Sequence, residues 1–285
     1  MRENPLVELR RRRRIRRMLR TMERLDRKPV RARRVRSTSR LRAVSAVVVL
    51  VAGLGAMGFR LTHTSGPPGW PQRPADASDS PLGQPPDVTT TGSFEFIQTQ
   101  PGSDDPVTYD PCVPIHVVVN HRQDVPHADR ILGSALEEVS QATGLQFVVD
   151  GESDESPTWD GDAGTADGWN PVLVAWSDPD EVVDLKGNVA GVGGSTSRAV
   201  GRHQWFVTGT VALDGPRARR ILARDPDGEA MVRAIVMHEL GHLVGLAHVD
   251  DERELMQPHG SRMTTWGPGD RAGLAALGSG DCVDY

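Results

Sequence analysis

Residues 236–258 read VMHELGHLVGLAHVDDERELMQP and hold three of the nine histidines of this 285-residue chain. Apolar residues recur at helical spacing before and within the first part of this stretch, which predicts the second half of a buried helix. His238 and His242 are four residues apart, so both rings leave the same face of that helix about one turn from each other. Two ligands of one metal ion need this separation.

Gly245 gives a third histidine a route to the same point. Glycine adopts the left-handed conformation that ends a helix, so the chain can turn back after His242 and bring His248 to the metal. Three neutral imidazoles with one open position are typical of a catalytic zinc site, since structural sites are usually closed by four ligands. Glu239, about 100° around the helix from His238, can reach a water on the metal. Buried histidines on apolar helices are usually ordinary core residues, but five specified positions favour the zinc site over coincidence.

The segment HELGHLVGLAH resembles the HExxHxxGxxH signature of the metzincin metalloproteases. Residues 254–258, ELMQP, are similar to the methionine-containing turn beneath the metal in that clan, and LMxP is most similar to the matrixins. The resemblance implies a zincin-like fold, one catalytic Zn²⁺ and a zinc-dependent endopeptidase that acts on protein or peptide substrates. It also implies that His238, His242 and His248 are the zinc ligands. Glu239 would then be the general base, and Met256 the methionine of the turn.

Two positions depart from the usual matrixin pattern. The third histidine is followed by Val249 and Asp250, where a serine is usual, and Gln257 stands where tyrosine often follows the turn methionine. No short PRCGxPD-like inhibitory motif precedes the domain. These departures leave the subfamily, the substrate preference and the means of latency open.

A glycine-broken stretch, residues 189–195, is the candidate for the rim of the substrate cleft. In the family, an extended substrate pairs with an edge strand, and the glycines here favour an edge position over a central one. An ordinary glycine-rich loop is an equally weighted alternative. The residues concerned are Val189, Gly191, Gly193 and Gly194.

Charge divides the chain into an arginine-rich tail and an acidic remainder. Residues 1–42 hold 18 of the 33 Lys and Arg residues and only four acidic residues. Residues 43–59, AVSAVVVLVAGLGAMGF, carry no charge and predict a transmembrane helix, although a helix of this length spans only about 25 Å of a bilayer core of about 30 Å. The positive-inside rule then places the tail in the cytoplasm and the rest outside the cell. The alternative is the apolar region of a cleaved signal peptide, which would give a secreted protein.

The arginine tail has two interpretations of its own. It either fixes the membrane topology or binds an anionic partner, in which case the outer domain could serve as a sensor for a functional cytoplasmic tail. No aromatic residue is interleaved with the arginines of residues 10–20, so we expect no nucleic-acid partner.

Residues 60–92 are rich in Pro, Ser, Thr, Gly and Asp and predict a disordered linker between the membrane and the folded domain. Strand and helix patterns alternate over residues 93–285, which predicts one α+β domain with a twisted mixed sheet, an active-site helix and a C-terminal helix. The acidic loop at residues 151–170 lacks the spacing of a calcium-binding loop, so a Ca²⁺ site has no motif to support it.

The two cysteines, Cys112 and Cys282, predict a disulfide because an exported domain with an even cysteine count usually pairs them. The competing hypothesis is that one thiolate caps the zinc and keeps the enzyme latent. A non-catalytic zinc-containing binding module is the alternative to an enzyme, and the intact Glu239 argues against it, since a binding module needs no general base.

Overall fold

The computed structural model describes residues 70–89, 92–159, 161–165, 168–258 and 263–285. The predicted cytoplasmic tail, residues 1–42, and the predicted transmembrane helix, residues 43–59, lie outside these ranges. Among the residues that are described, no helix combines the length and the apolar character needed to cross a membrane.

Strands and helices alternate through the described residues. The strands are β1 (Thr108–Tyr109), β2 (Ile115–Asn120), β3 (Phe147–Glu152), β4 (Gly164–Thr165), β5 (Gly168–Trp169), β6 (Val172–Ser177), β7 (Gly191–Val200) and β8 (His203–Asp214). The α-helices are α1 (Ala128–Thr143), α2 (Gly215–Arg224), α3 (Gly228–Val244) and α4 (Pro268–Leu277). One short 3₁₀ turn, Val183–Leu185, precedes β7.

The central sheet of the described domain is mostly parallel. Its order is β1-β8-β6-β2-β3, and every one of these pairings is parallel. Strand β7 pairs only with β8 and runs antiparallel to it along nearly its whole length. The predicted α+β architecture, with a mixed sheet, an active-site helix and a C-terminal helix, is confirmed.

Helices α1 and α3 supply most of the helical side of the core. The apolar residues of α1 recur at helical spacing and are buried. The residue after the helix, Gly144, has a φ of +78°, a left-handed conformation that glycine adopts without the steric strain of a Cβ. Helix α3 buries residues on all sides, since it lies between α1 and the sheet. Each fully buried aliphatic side chain stabilises the fold by about 1.5–3 kcal/mol. Helix α3 is therefore a rigid platform for the side chains it carries.

Helix α2, absent from the sequence predictions, connects β8 to α3. Asp214 caps its first turn by accepting a hydrogen bond from the backbone N–H of Arg217 at 2.8 Å, and a proline follows near the helix start. The chain then turns at residues 225–227, and α3 begins at Gly228.

Residues 70–89, part of the predicted disordered linker, lie against the domain. Backbone N–H groups of Ser78 and Leu82 donate to the carbonyls of Cys112 and Pro111 at 2.8 and 2.9 Å. The ring of Trp70 packs edge-on against two other tryptophans, Trp169 and Trp205. These contacts hold residues 70–89 against the domain and oppose the entropy cost of ordering this segment.

The ends of the domain meet at a disulfide between Cys112 and Cys282, whose Cα atoms are 5.4 Å apart. Beside it, the Asp110 carboxylate accepts hydrogen bonds from the backbone N–H groups of Cys112 and Val283 and from the Tyr285 hydroxyl. Burial raises the pKa of Asp110, and these donors oppose that rise. The pair leaves no free cysteine to cap a metal.

Candidate active site

Helix α3 presents His238 and His242 one turn apart, and a carbonyl oxygen orients each ring. The Nδ1 atoms lie 2.8 Å from the carbonyl oxygens of Leu255 and Leu246, respectively. A carbonyl can only accept, so each Nδ1 carries the hydrogen and donates it. Each Nε2 is therefore left with a lone pair that points away from the helix, as a metal ligand requires.

The end of α3 brings the third histidine back to this point. Gly245 has a φ of +123°, and a Cβ at this position would lie 2.8 Å from a methyl of Leu277. Both the conformation and the space therefore call for glycine. After this turn, the Nε2 of His248 lies 3.0 Å from the Nε2 atoms of both His238 and His242.

The three imidazoles fit a zinc ion. Nitrogen ligands lie about 2.0–2.1 Å from zinc in a tetrahedral site, which places them about 3.3 Å from one another, close to the 3.0 Å found here. Among the described residues, the other convergent group of possible ligand side chains includes the two disulfide-bonded cysteines, which cannot ligate. No converging set of acidic side chains suited to calcium occurs in the described part of the chain.

Burial keeps the two ligands on α3, His238 and His242, in the neutral form that a metal needs. It lowers the pKa of His238, and the hydrogen bond to Leu255 only partly opposes this effect. Burial, with the neighbouring charges of His238 and His248, lowers the pKa of His242 to about 3. His248 is exposed, so the site is open to solvent on that side. Metal binding at neutral pH therefore displaces few protons from these rings.

Glu239, between the two helical ligands in sequence, is only 6% exposed. Burial raises the pKa of its carboxyl group to about 8, and a hydrogen bond from the backbone N–H of Gly193 opposes the rise. A Cβ at Gly191 would lie 2.5 Å from Glu239 Cγ. Strand β7 therefore lies directly against the predicted general base.

The structure places the four predicted rim residues differently from one another. Gly191 and Gly193 contact Glu239, whereas a Cβ at Gly194 would meet nothing within 4 Å. Val189 precedes β7 and is 37% exposed. The predicted edge strand is present as β7, but only two of the four residues face the base.

Met256 lies under helix α3, as the family resemblance implies. It is 1% exposed, and a Cβ at Gly241 would lie 2.8 Å from its sulfur. The same turn contains Leu255, whose carbonyl orients His238. The turn and the ligand helix are thus packed as one unit.

Two buried acidic residues, Glu254 and Asp270, hold this turn, and the sequence predictions missed them. Glu254 Oε2 accepts hydrogen bonds from the backbone N–H groups of Gly269 and Asp270 at the start of α4. Asp270 Oδ2 accepts from the N–H groups of Leu255 and Gly267, at 2.5 and 2.9 Å. The sequence signal for Asp270 was its place in GPGD, the third residue of a helix that begins with proline, where a carboxylate caps the first turn.

Residues 95–97, which precede the first strand, steady the loop that carries the third ligand. The carbonyl of Glu95 accepts from the N–H of Ala247 at 2.8 Å, and the N–H of Ile97 donates to the carbonyl of Gly245 at 2.9 Å. Next to this pairing lies an open cavity of about 620 Å³, lined by Gly92, Ser93, Phe94, Glu95, His248, Val249 and Asp250.

Comparison with known proteins gives a family. The model of the Matrixin family matches residues 116–273, more than half of the chain and the whole of the histidine site. No curated protein matches the chain. The solved structures that are similar include archaemetzincin from Methanopyrus kandleri, at 19% identity and a TM-score of 0.37, over 56% of this chain and 92% of that one. With its three convergent histidines, its buried glutamate and its match to the Matrixin family model, the chain belongs to the matrixin family of metzincin-type zinc metalloproteases.

Proposed function

We propose that the chain is an extracellular zinc-dependent endopeptidase that hydrolyses peptide bonds in proteins or peptides. One observation carries the proposal: the Nε2 atom of His248 lies 3.0 Å from the Nε2 atoms of both His238 and His242, beside the buried carboxyl group of Glu239. A binding module would have no use for the carboxylate. The family supports the zinc metalloprotease class, and the endopeptidase activity and extracellular site are our proposals.

Each group has a definite task in such a reaction. A zinc ion held by His238, His242 and His248 would polarise the scissile carbonyl and acidify a water molecule. The Glu239 carboxylate would accept a proton from the attacking water and deliver it to the leaving amine. The Leu255 and Leu246 carbonyls keep two ligand rings in the required tautomer.

Strand β7 offers the place for the substrate backbone. It pairs with β8 on one side, and no other described strand pairs with it. An extended peptide can add to such an edge through main-chain hydrogen bonds, which do not depend on the peptide's side chains. The peptide would then lie beside Glu239, since β7 contacts that residue.

Glu239→Gln tests this function. The variant keeps all three ligands, so we expect it to bind one zinc ion per chain like the wild type. We expect peptide hydrolysis to fall about 10²- to 10⁴-fold, because general-base help is lost. Hydrolysis is measured by mass spectrometry on a peptide library, and zinc by metal analysis.

The matched control is Glu252→Gln, which changes an exposed glutamate of the following loop and should leave both quantities unchanged. His242→Ala should instead lose the zinc. Equal hydrolysis by the wild type and Glu239→Gln would refute the mechanism. A wild type that binds zinc and cleaves no peptide would favour the binding module.

We further propose that residues 43–59 anchor the chain, with the tail in the cytoplasm and the catalytic domain outside. The excess of Arg and Lys before the apolar segment supports this orientation. A C-terminal tag should be accessible to antibody on intact cells, and added protease should release the outer domain. A tag reached only after lysis would refute the orientation, and a chain recovered from the medium that begins near residue 59 would show signal cleavage instead.

A further inference from the structure

Alternate residues of β7 face helix α3. The Ser195 hydroxyl donates to the Leu243 carbonyl of α3 at 2.6 Å, which shows the direction of that side chain. Side chains alternate along a strand, so positions 191 and 193 face α3 as well. Both are glycine, and what they face is Glu239.

The space at position 191 is filled by the Glu239 side chain. A Cβ at Gly191 would lie 2.5 Å from Cγ, 2.8 Å from Cδ and 2.8 Å from Oε1 of that residue. At Gly193 the neighbour is instead the main chain, with the Glu239 carbonyl oxygen 2.3 Å from a Cβ. Only residues without a side chain let β7 approach so closely.

Gly193 also brings a donor group to this side chain. Its main chain lies directly against Glu239, and its backbone N–H lowers the pKa of the Glu239 carboxyl group. In an antiparallel pair, successive N–H groups point alternately toward the partner strand and away from it, so the neighbouring N–H of Gly194 points toward β8. A carboxyl group this buried needs such a donor, because a buried polar group without a partner is costly.

We propose that Gly191 and Gly193 are positioning residues for the general base. Gly191 leaves the space that the Glu239 side chain occupies, and Gly193 fixes the carboxylate through its N–H. This inference rests on the proposed function of Glu239. It predicts that β7 takes part in catalysis and does not only bind the substrate backbone.

Gly191→Ala is the informative variant, because the three heavy atoms nearest to its methyl group all belong to the side chain of Glu239. The carboxylate must rotate away, while the ligands on α3 keep their places. A displacement of about 1 Å in a catalytic group can cost about 10²-fold in rate. We therefore expect kcat to fall about 10- to 100-fold, with KM and zinc content close to those of the wild type. Gly193→Ala meets the main chain and would also shift the strand.

A double-mutant cycle in the full-length, zinc-loaded protein tests the proposal. Gly191→Ala should add little to the loss in Glu239→Gln, because both changes act on one group. Gly194→Ala places its methyl group in open space on the same strand and does not touch Glu239. Any fold-loss of kcat that it causes should therefore multiply with the fold-loss caused by Glu239→Gln. Wild-type kcat in Gly191→Ala, or full multiplication of its effect with that of Glu239→Gln, would overturn the proposal. Gly133→Ala, on the exposed face of α1, is the control for a glycine-to-alanine change away from the site and should keep the kcat of the wild type.

Amide hydrogen exchange gives a readout that does not need hydrolysis. Glu239→Ala should speed exchange at Gly193 at least about tenfold, since its acceptor is lost, and leave Gly194 as in the wild type. Unchanged exchange at Gly193 would overturn the assignment even if Gly191→Ala failed to fold. If the wild type cleaves no peptide, the proposed function fails, and this measurement still decides the placement of Glu239.

Discussion

His116 joins three parts of the chain through one imidazole ring. Its Nε2 lies 2.8 Å from Asp76 Oδ2, and its Nδ1 lies 2.9 Å from Asp150 Oδ2. Asp76 belongs to the segment before the sheet, His116 to β2 and Asp150 to β3. Partial burial lowers the pKa of His116, but the hydrogen bonds and charges of Asp150 and Asp76 raise it more, so the net shift is upward.

A raised pKa in the folded state makes this contact depend on pH. Its stabilisation is present in full below the unfolded pKa of histidine, about 6.5, and is lost as pH rises through the folded value. Exposed ion pairs contribute at most about 1 kcal/mol. We therefore expect the Tm gap between wild type and His116→Gln to be about 2–4 °C larger at pH 6 than at pH 8.5.

Asp76→Asn combined with Asp150→Asn is the control for that measurement. It removes both partners and leaves the imidazole, so it should abolish the same pH dependence. Calorimetry at the two pH values measures it. A Tm gap for His116→Gln that is equal at both values would show that the ring does not gain a proton on folding.

At the scale of elements, the methionine turn and helix α4 are held together by buried acid groups. Asp270, only 1% exposed, accepts hydrogen bonds from the turn and from its own helix start. Burial raises its pKa, and the N–H donors of Gly267 and Leu255 oppose that rise. The same turn supplies the Leu255 carbonyl that orients His238. Helix α4 is therefore linked to the zinc site by two contacts, from Asp270 to Leu255 and from Leu255 to His238.

Asp270→Asn should weaken both the fold and the metal site. The amide group places N–H donors against backbone N–H donors, and lost hydrogen bonds to a charged group cost about 1.5–3 kcal/mol. Partners that orient ligands affect metal affinity about 10- to 100-fold. We expect a lower Tm and a zinc Kd raised within that range, measured by competition with a chelator. Glu252→Gln should change neither, and an unchanged zinc Kd in Asp270→Asn would show that the turn does not act on His238.

The local part of this site was predictable, and the long-range part was not. The three histidines and the glycine between them lie within eleven residues, at His238, His242, Gly245 and His248. Helix geometry and one glycine turn are therefore enough to bring the three rings together. Asp270 reaches the turn from 15 residues further on, and Gly191 reaches Glu239 from another element. No local periodicity encodes such contacts, because they arise from packing.

The same limit applies to whole elements. Four arginines make helix α2 look like polar surface, and its capping by Asp214 was not recognised. The segment at residues 70–89 has a linker's composition, yet its contacts come from a few residues, such as Trp70. Composition averages over a segment, whereas docking depends on single anchors.

At the scale of the whole molecule, the disulfide closes a covalent loop that contains most of the domain. Cys112 and Cys282 are 170 residues apart in the sequence. In the chain-entropy model, closing a loop of this length stabilises by up to about 5 kcal/mol. We expect no titratable thiol in the denatured, unreduced protein, and a Tm that falls by about 10 °C or more on reduction.

Cys112→Ser with Cys282→Ser should reproduce the lower Tm without a reductant. Thiol titration and calorimetry are the measurements. Two titratable thiols in the unreduced protein, together with activity that rises on thiol modification, would favour a cysteine that caps the zinc.

The same disulfide affects how self-cleavage by a peptidase can be detected on a gel. The disulfide joins residues near the two ends of the domain, so a single cut at any bond between them leaves two fragments that stay covalently linked. A sample nicked in the acidic loop at residues 151–170 would run as one intact band on a non-reducing gel and as two bands after reduction. Self-cleavage by the proposed endopeptidase would therefore be detected only on a gel that is run with a reductant.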